Sequence, residues 1–497
     1  MIGIATLIKA IIACTVELGN DEVYYRMYAE YLQWNYFDHP PMVGWLIRLS
    51  TFNLLWDHEF FIRFGAVISS ALTSWLLFLC GKKLLNAQAG YSAVLLYTAT
   101  LYGSIITGVF ILPDSPQLVF WALGLYQLID ITDRKTAGAV KNKKMLLFGL
   151  ACGLGMLCKI HSCFLWFGCL LYILLYDRHW FSRTALYFSG LLTVILFYPV
   201  IKWNIENHFI TYTYHSDRVN VSGAGIHPED FLTFTGGQFF YFNPVVFIAI
   251  LMAIAAAFRG KLAIQKEHTR ILLLSSLPLF CIAVVISLFR QALPHWTGPA
   301  FLGLILLAAC HYTKAERKKV PLFISIALLL SGLIICIGIG FVNFYPGTLG
   351  KKNGLTLGDG DFTLDMYGWK ELRAKVEPII KEDIRSGRMN ANPVFISYKW
   401  FPAANIDYYI AMPLKKELLA IGDTTDIHQY AWINTKRKNL IAGDDAYCLV
   451  PSENLIDPTK KFGELFSSIL PADTIYQKRN GENCRLLYIY RLKGYKK

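Results

Sequence analysis

The stretch NDEVYYRMYAEYLQWNYFDHPPMVGWLI occupies residues 20–47, directly after a hydrophobic run that begins at Met1. It contains Asp21 and Glu22, then Asp38 and His39, then Pro40 and Pro41. Part of this pattern is ordinary helix making. Asn20 is a candidate cap, and acids in a first turn are favoured by the helix dipole. The two prolines suit the start of a second helix, and Asp38 suits a turn. Packing does not, however, explain an acid pair and an Asp-His pair brought to one side of a hydrophobic segment within so short a stretch.

Whether that side is a membrane face depends on the rest of the chain. With 497 residues, 55% hydrophobic content and a mean hydropathy of +0.39, there is more apolar material than one soluble core needs. It falls into runs long enough for a bilayer core, which takes roughly 20 apolar residues in a helix. Eleven such segments lie near residues 1–18, 61–81, 90–110, 115–131, 145–160, 162–177, 184–203, 237–258, 271–289, 293–311 and 320–343. The first is short and carries Lys9, and it lacks the charged start and small-residue cleavage site of a signal peptide. The expected fold is a polytopic α-helical membrane protein with about 11 transmembrane helices.

Orientation follows from the basic residues. One set of loops holds Lys82 and Lys83; Arg134, Lys135, Lys141, Lys143 and Lys144; Arg178 and Arg183; Arg259, Lys261, Lys266 and Arg270; and Lys314, Arg317, Lys318 and Lys319. The opposite set holds only Arg26, Arg48, Arg63, Lys159, Lys202, Arg218 and Arg290. The first set is read as cytoplasmic, which places the opening stretch outside a cytoplasmic (inner) membrane. Much of the net charge of +13 is then topology signal, and nucleic acid is not an expected partner.

Composition changes at Phe344. Residues 1–343 are expected to form the membrane domain, with long outward loops at 19–60 and 204–235, and residues 344–497 a soluble extracytoplasmic α/β domain. In the tail, GWKELRAKVEPIIKEDI has helical spacing, PVFISYKW reads as a buried strand and NCRLLYIYRLKGY as a closing strand. In the first loop, Val23, Tyr24, Met27, Tyr28, Tyr31 and Leu32 share one helical face, and Met42, Trp45, Leu46, Leu49 and Phe52 share another. Both stretches are expected in the headgroup plane. Cys448 and Cys484 are open to either a disulfide or two buried thiols.

Further ionisable residues gather on the outward side. Asp114 sits between two prolines in GVFILPDSPQLVFWAL, and Lys159 and His161 occupy a very short turn in GMLCKIHSCFLWF. An ionisable group at membrane depth usually faces a cavity or a partner, although helix capping for Asp114 and snorkelling for Lys159 are the plainer readings. Lys202, Arg218, Arg290 and His295 complete the outward cations, each of which would also serve as an interface anchor. Acids and cations on one face suit a lipid-phosphate-linked sugar. Cations meet the phosphate while a carboxylate takes the proton of an acceptor hydroxyl, and a single displacement inverts the anomeric centre.

DEVYY and YFDHPPMVGWLI, then LPDSPQLVFWAL, GLGMLCKIHS, GGQFFYFNPVVF and LPHWTGPAFLGLILLA, in this order, resemble the dolichyl-phosphate-mannose protein mannosyltransferase-like family of the GT-C superfamily, which includes bacterial aminoarabinose lipid A transferases. The resemblance implies that Asp21 is the essential acid and base, with Glu22 its neighbour and Asp114 the acid ending the third span. It further implies that Lys159 contacts phosphate and that Asp38 with His39 forms the second half of the first-loop motif. His161, Lys202, Arg218 and Arg290 are further candidates for the donor phosphate, and His295 for substrate. The implied partners are a polyprenyl-phosphate sugar donor and a lipid, glycan or protein acceptor. The tail, DMYGWKEL above all, also resembles the extracytoplasmic domain of bacterial members. Asp21, Glu22, Asp38 and His39 would also suit an oxygen-rich divalent-metal site, but Lys159 and the arginines supply positive charge, so no cofactor is expected. The alternative is a polyprenyl-lipid transporter or flippase. The clustering at one face, without internal symmetry, argues against it.

Overall fold

The computed structural model describes residues 1–223, 225–313 and 320–497. Lys314, Arg317, Lys318 and Lys319 of the charge pattern lie outside the described residues. The helices, in chain order, are α1 (Ile2–Ile12), α2 (Asn20–Glu30), α3 (Met42–Ser50), α4 (Glu59–Leu84), α5 (Ala87–Thr98), α6 (Asp114–Thr132), α7 (Gly138–Cys158), α8 (Cys163–Tyr176), α9 (Thr184–Glu206), α10 (Ile210–Val219), α11 (Pro228–Tyr241), α12 (Pro244–Phe258), α13 (Lys266–Leu274), α14 (Leu277–Ser287), α15 (Gly298–Tyr312), α16 (Leu322–Phe344), α17 (Trp369–Arg385) and α18 (Trp400–Ile406). Shorter helical turns follow α18 in the tail. The chain divides into two compact units, residues 1–13 with 32–335, and residues 14–31 with 336–497. The composition break at Phe344 lies close to the second boundary, but the segment 14–31 was not separable by composition.

In the first unit, a long apolar cluster runs through α4–α8, α12, α13 and α15, with Trp121, Phe148, Leu165 and Phe301 buried in it. Leu72, Trp75, Leu191, Ile195 and Leu329 are instead exposed, as residues turned to lipid would be. Among the described residues, Glu59–Leu84, Thr184–Glu206, Lys266–Ser287 and Leu322–Phe344 are long and apolar enough to cross a membrane. A fifth candidate, α11 with α12, is broken by a 99° bend. At that corner Asn243 has φ 62°, and its amide donates to Ala327 O and Ser331 Oγ at 2.8 and 2.9 Å while its carbonyl accepts from Val245 N–H. The freed backbone is thus satisfied by a polar side chain.

The segment expected at 90–110 is not one helix. α5 ends at Thr98, and Tyr102–Ile106 forms a π-helical turn. Thr100 Oγ1 donates to Tyr97 O at 2.8 Å and accepts from Gly103 N–H at 3.0 Å, while Gly103 packs so closely on Tyr97 that a Cβ would lie 2.6 Å from its ring. In α3, Val43, Gly44 and Ile47 are buried, whereas Leu49 and Phe52 of the apolar face read from the sequence stand 74% and 55% exposed.

In the second unit, α2 departs from expectation. Val23, Tyr24, Tyr25, Met27, Tyr28 and Ala29 are all buried, so this is a packed helix and not one lying in a headgroup plane. The Tyr24 ring lies 5.0 Å from that of Trp400, tilted by 48°, and its hydroxyl accepts from Gln429 N–H at 3.1 Å. The five strands are β1 (Val394–Ser397), β2 (Leu418–Ala420), β3 (Ala446–Pro451), β4 (Phe466–Arg479) and β5 (Glu482–Tyr495), in the order β2-β1-β3-β5-β4. β1 is parallel to β2 and β3; β5 is antiparallel to β3 and β4. The β4–β5 hairpin turns through Asn480 and Gly481, both with positive φ, as a tight two-residue hairpin requires. α17 buries Trp369, Leu372, Val376, Ile380 and Asp383 along one face. Cys448 and Cys484 are free buried thiols, which resolves the alternative left open by spacing.

Candidate functional site

Asp114 opens α6 directly after Pro113, whose ring presets the helical turn. It makes no cap. Its side chain, 3% exposed, accepts instead from Lys159 Nζ at 2.8 Å through Oδ2 and from the Tyr102 hydroxyl at 3.0 Å through Oδ1. Lys159 is the extended residue that ends α7, and its side chain is 7% exposed, so it does not snorkel. The end of α7 and the start of α6 thus meet through a buried ion pair. One turn on, Gln117 Nε2 donates to Ser162 Oγ at 3.0 Å and ties α6 to the turn that carries His161. Tyr102 reaches Asp114 because Gly298 leaves room: a Cβ there would sit 1.9 Å from Tyr102 Cζ.

Around this pair stand four partly buried histidines. His39 is influenced electrostatically by His215, Lys159, Asp114 and His295, and His161 by Lys159, Asp114, His215 and His295. Burial first, then the neighbouring His215 and Lys159, hold His39 well below the usual imidazole range; burial also lowers His215. The two rings lie 6.0 Å apart. Both outward loops are fastened here. His215 Nε2 lies 2.7 Å from Asp38 O; Thr211 Oγ1 donates to Tyr36 O at 3.0 Å and accepts from Asn35 Nδ2 at 2.9 Å. Trp296, next to His295, faces His161 at 6.4 Å, and the Arg218 guanidinium lies 5.7 Å from its ring.

Of the residues expected in the first unit, Asp38, His39, Asp114, Lys159, His161, Arg218 and His295 are therefore brought into one neighbourhood. Lys202 stands exposed on α9 beside Glu206, and Arg290 is exposed with its Nε donating to Asn220 O at 2.9 Å. Tyr102, Gln117 and Gly298 carried no signal, lying inside apolar runs. His215, in the second outward loop, was not among the expected site residues.

Asp21 and Glu22 belong to the second unit. Gly19, not Asn20, caps α2, and buried Glu22 accepts Gly19 N–H at 2.9 Å through Oε2, while Asp21 is exposed. Beside them lies Asp365 of the DMYGWKEL segment, whose carboxyl burial raises to about 6, with Asn20 hydrogen-bonded to it and Asp21 adding repulsion. Glu17 caps the start of α17, accepting from Trp369 N–H at 2.7 Å and Lys370 N–H at 3.2 Å. The tail motif and the first-loop acids thus share one packed unit.

Residues 38–203 match the family model described as dolichyl-phosphate-mannose-protein mannosyltransferase. A lipid A galacturonosyltransferase of Rhizobium johnstonii is 24% identical over 58% of this chain and 59% of its own length. An undecaprenyl phosphate-alpha-4-amino-4-deoxy-L-arabinose arabinosyl transferase of Edwardsiella ictaluri is 29% identical over 26% of this chain and 23% of its own. The chain therefore spans at most about three fifths of the length of these curated relatives. The crystal structure of ArnT from Cupriavidus metallidurans bound to undecaprenyl phosphate superposes with a TM-score of 0.64, at 13% identity, covering 98% of this chain and 96% of that one. At that identity the likeness is one of fold, and the fold is ArnT-like. The resemblance read from the sequence holds: the chain is similar to GT-C glycosyltransferases.

Proposed function

We propose that this protein is an integral membrane glycosyltransferase that moves a sugar from a polyprenyl-phosphate donor to an acceptor on the extracytoplasmic face, with inversion. The observation that carries the reading is the buried Asp114–Lys159 pair walled by His39, His161, His215 and His295. A buried ion pair is poor as a stabilising device, since its desolvation offsets its attraction. Its retention beside partly buried imidazoles suits an ammonium held ready for an anion. In the reaction, the acceptor oxygen attacks the anomeric carbon and its proton passes to a carboxylate. The carbon–oxygen bond to phosphate breaks, and the polyprenyl phosphate departs with its negative charge met by Lys159 and by polar contacts from the histidines. Asp21 is assigned as that carboxylate on the family resemblance, and Glu22 as the residue that fixes the helix start on which Asp21 stands.

The acceptor is a lipid A-type glycolipid, in keeping with the name of the Rhizobium johnstonii relative. The relatives give no support to a transporter or flippase. About eleven membrane crossings, a cytoplasmic-membrane location and an outward tail complete the proposal, supported by the loop charges and the exposed apolar helix faces. Mass spectrometry of envelope glycolipids from host cells without the gene, complemented with wild type or Lys159→Ala, tests it. One sugar unit present only with wild type is expected. Identical glycolipids in all three strains would overturn the reading.

A further inference from the structure

The tail's sheet concentrates polar groups at one point. β1 lies between β2 and β3 and is parallel to both, and the chain passes from β1 to β2 on one side and then to β3 on the other. Connections leaving the carboxyl ends of β1 and β3 therefore diverge, and a crevice opens where they part. A groove of about 260 Å³ lies there, lined by Ser397 at the end of β1 with Tyr398 and Lys399 just past it, and by Ser452, Glu453 and Asn454 just past β3. Glu453 is anchored through Oε1 by Arg485 at 2.5 Å, and that arginine is itself fully buried and donates to Tyr367 O and Leu364 O. The second carboxylate oxygen, Oε2, is buried and accepts no hydrogen bond from the protein. Such an oxygen carries an unmet acceptor that a ligand hydroxyl would satisfy. Two ammonium groups stand at the mouth, exposed Lys399 in the lining and Lys461 next to it, 3.8 Å from the Tyr398 ring centre, while the one further acid of the lining, Asp359, is paired with Lys351 at 2.7 Å.

An anchored carboxylate, a neighbouring amide, an aromatic ring and two ammonium groups together match the hydroxyls, the ring and the anionic group of one phosphorylated sugar. We infer that this groove binds a phosphorylated saccharide, with hydroxyls on Glu453 and Asn454 and the phosphate on Lys399 and Lys461. Its identification with a glycolipid acceptor's head group rests on the transfer reading above; the binding itself does not.

The test is saturation-transfer NMR on the full-length protein in detergent, titrated with glucose 1-phosphate and, separately, with glucose and with inorganic phosphate. Saturable binding of glucose 1-phosphate, tighter than either fragment, is expected. It should weaken about tenfold in Lys399→Ala/Asn454→Ala, two positions at the surface, as loss of a charged hydrogen bond implies. Asp21→Asn should leave it unchanged, so that failure of the transfer reading and failure of this one are separable. Vesicles containing a phosphorylated glycolipid that compete would identify a lipid head group as the source; vesicles that do not compete would assign a soluble sugar phosphate. Absence of saturable binding, or binding unaffected by the double substitution, would overturn the inference.

Discussion

At the scale of residues, the account turns on groups whose charge is met in a specific way. Removing one partner of a buried ion pair strands the other, at a cost of about 3–5 kcal/mol. Lys159→Ala should therefore lower thermal stability in detergent markedly, and Asp114→Asn/Lys159→Met should recover most of the loss while remaining inactive. Gly298→Ala drives a methyl into the Tyr102 ring and should cost about 1–3 kcal/mol. Gly190→Ala, whose Cβ meets nothing within 4 Å, should be neutral in the same melting assay. Asp365 titrates in the opposite sense to a salt-bridged acid. Because its folded value is raised to about 6, the native state holds the proton longer than the unfolded chain, and stability falls as pH rises through that value. Asp365→Asn should raise the melting temperature at pH 8 and by about half as much at pH 5, where the unfolded carboxyl is already ionised.

At the scale of elements, legibility followed periodicity. α17 was readable because its apolar residues recur at helical spacing over one buried face, β1 and β5 because each carries a short apolar run, and α3 because Met42, Trp45, Leu46 and Leu49 recur at helical spacing. α2 was misread, since its tyrosines pack all round and a helical wheel cannot distinguish a lipid surface from a protein one. The break after α5 was hidden because Thr100 and Gly103 end a helix by local hydrogen bonding and close approach, which hydropathy does not register. The docking of α10 on the first loop was equally invisible, as it rests on Thr211 bridging Asn35 and Tyr36. Thr211→Val should remove that bridge and speed proteolysis of residues 208–227, with little change in global melting.

At the scale of the whole molecule, Asp38, His39, Asp114 and Lys159, which the fold brings into one neighbourhood, stood out in the sequence because ionisable residues beside apolar runs are conspicuous. Their supports Tyr102, Gln117 and Gly298 were not, because they look like any span residue. Asp21 was conspicuous for the same reason, and the assignment of the base to it is the central claim. In the proposed reaction every transfer leaves one free polyprenyl phosphate, so the direct measurement is its release, by mass spectrometry, from vesicles holding purified protein, host lipid extract as donor and lipid A as acceptor. Wild type should release it steadily, and Asp21→Asn should be slower by about 10²–10⁴-fold while remaining folded. Release by Asp21→Asn at the wild-type rate would contradict the account.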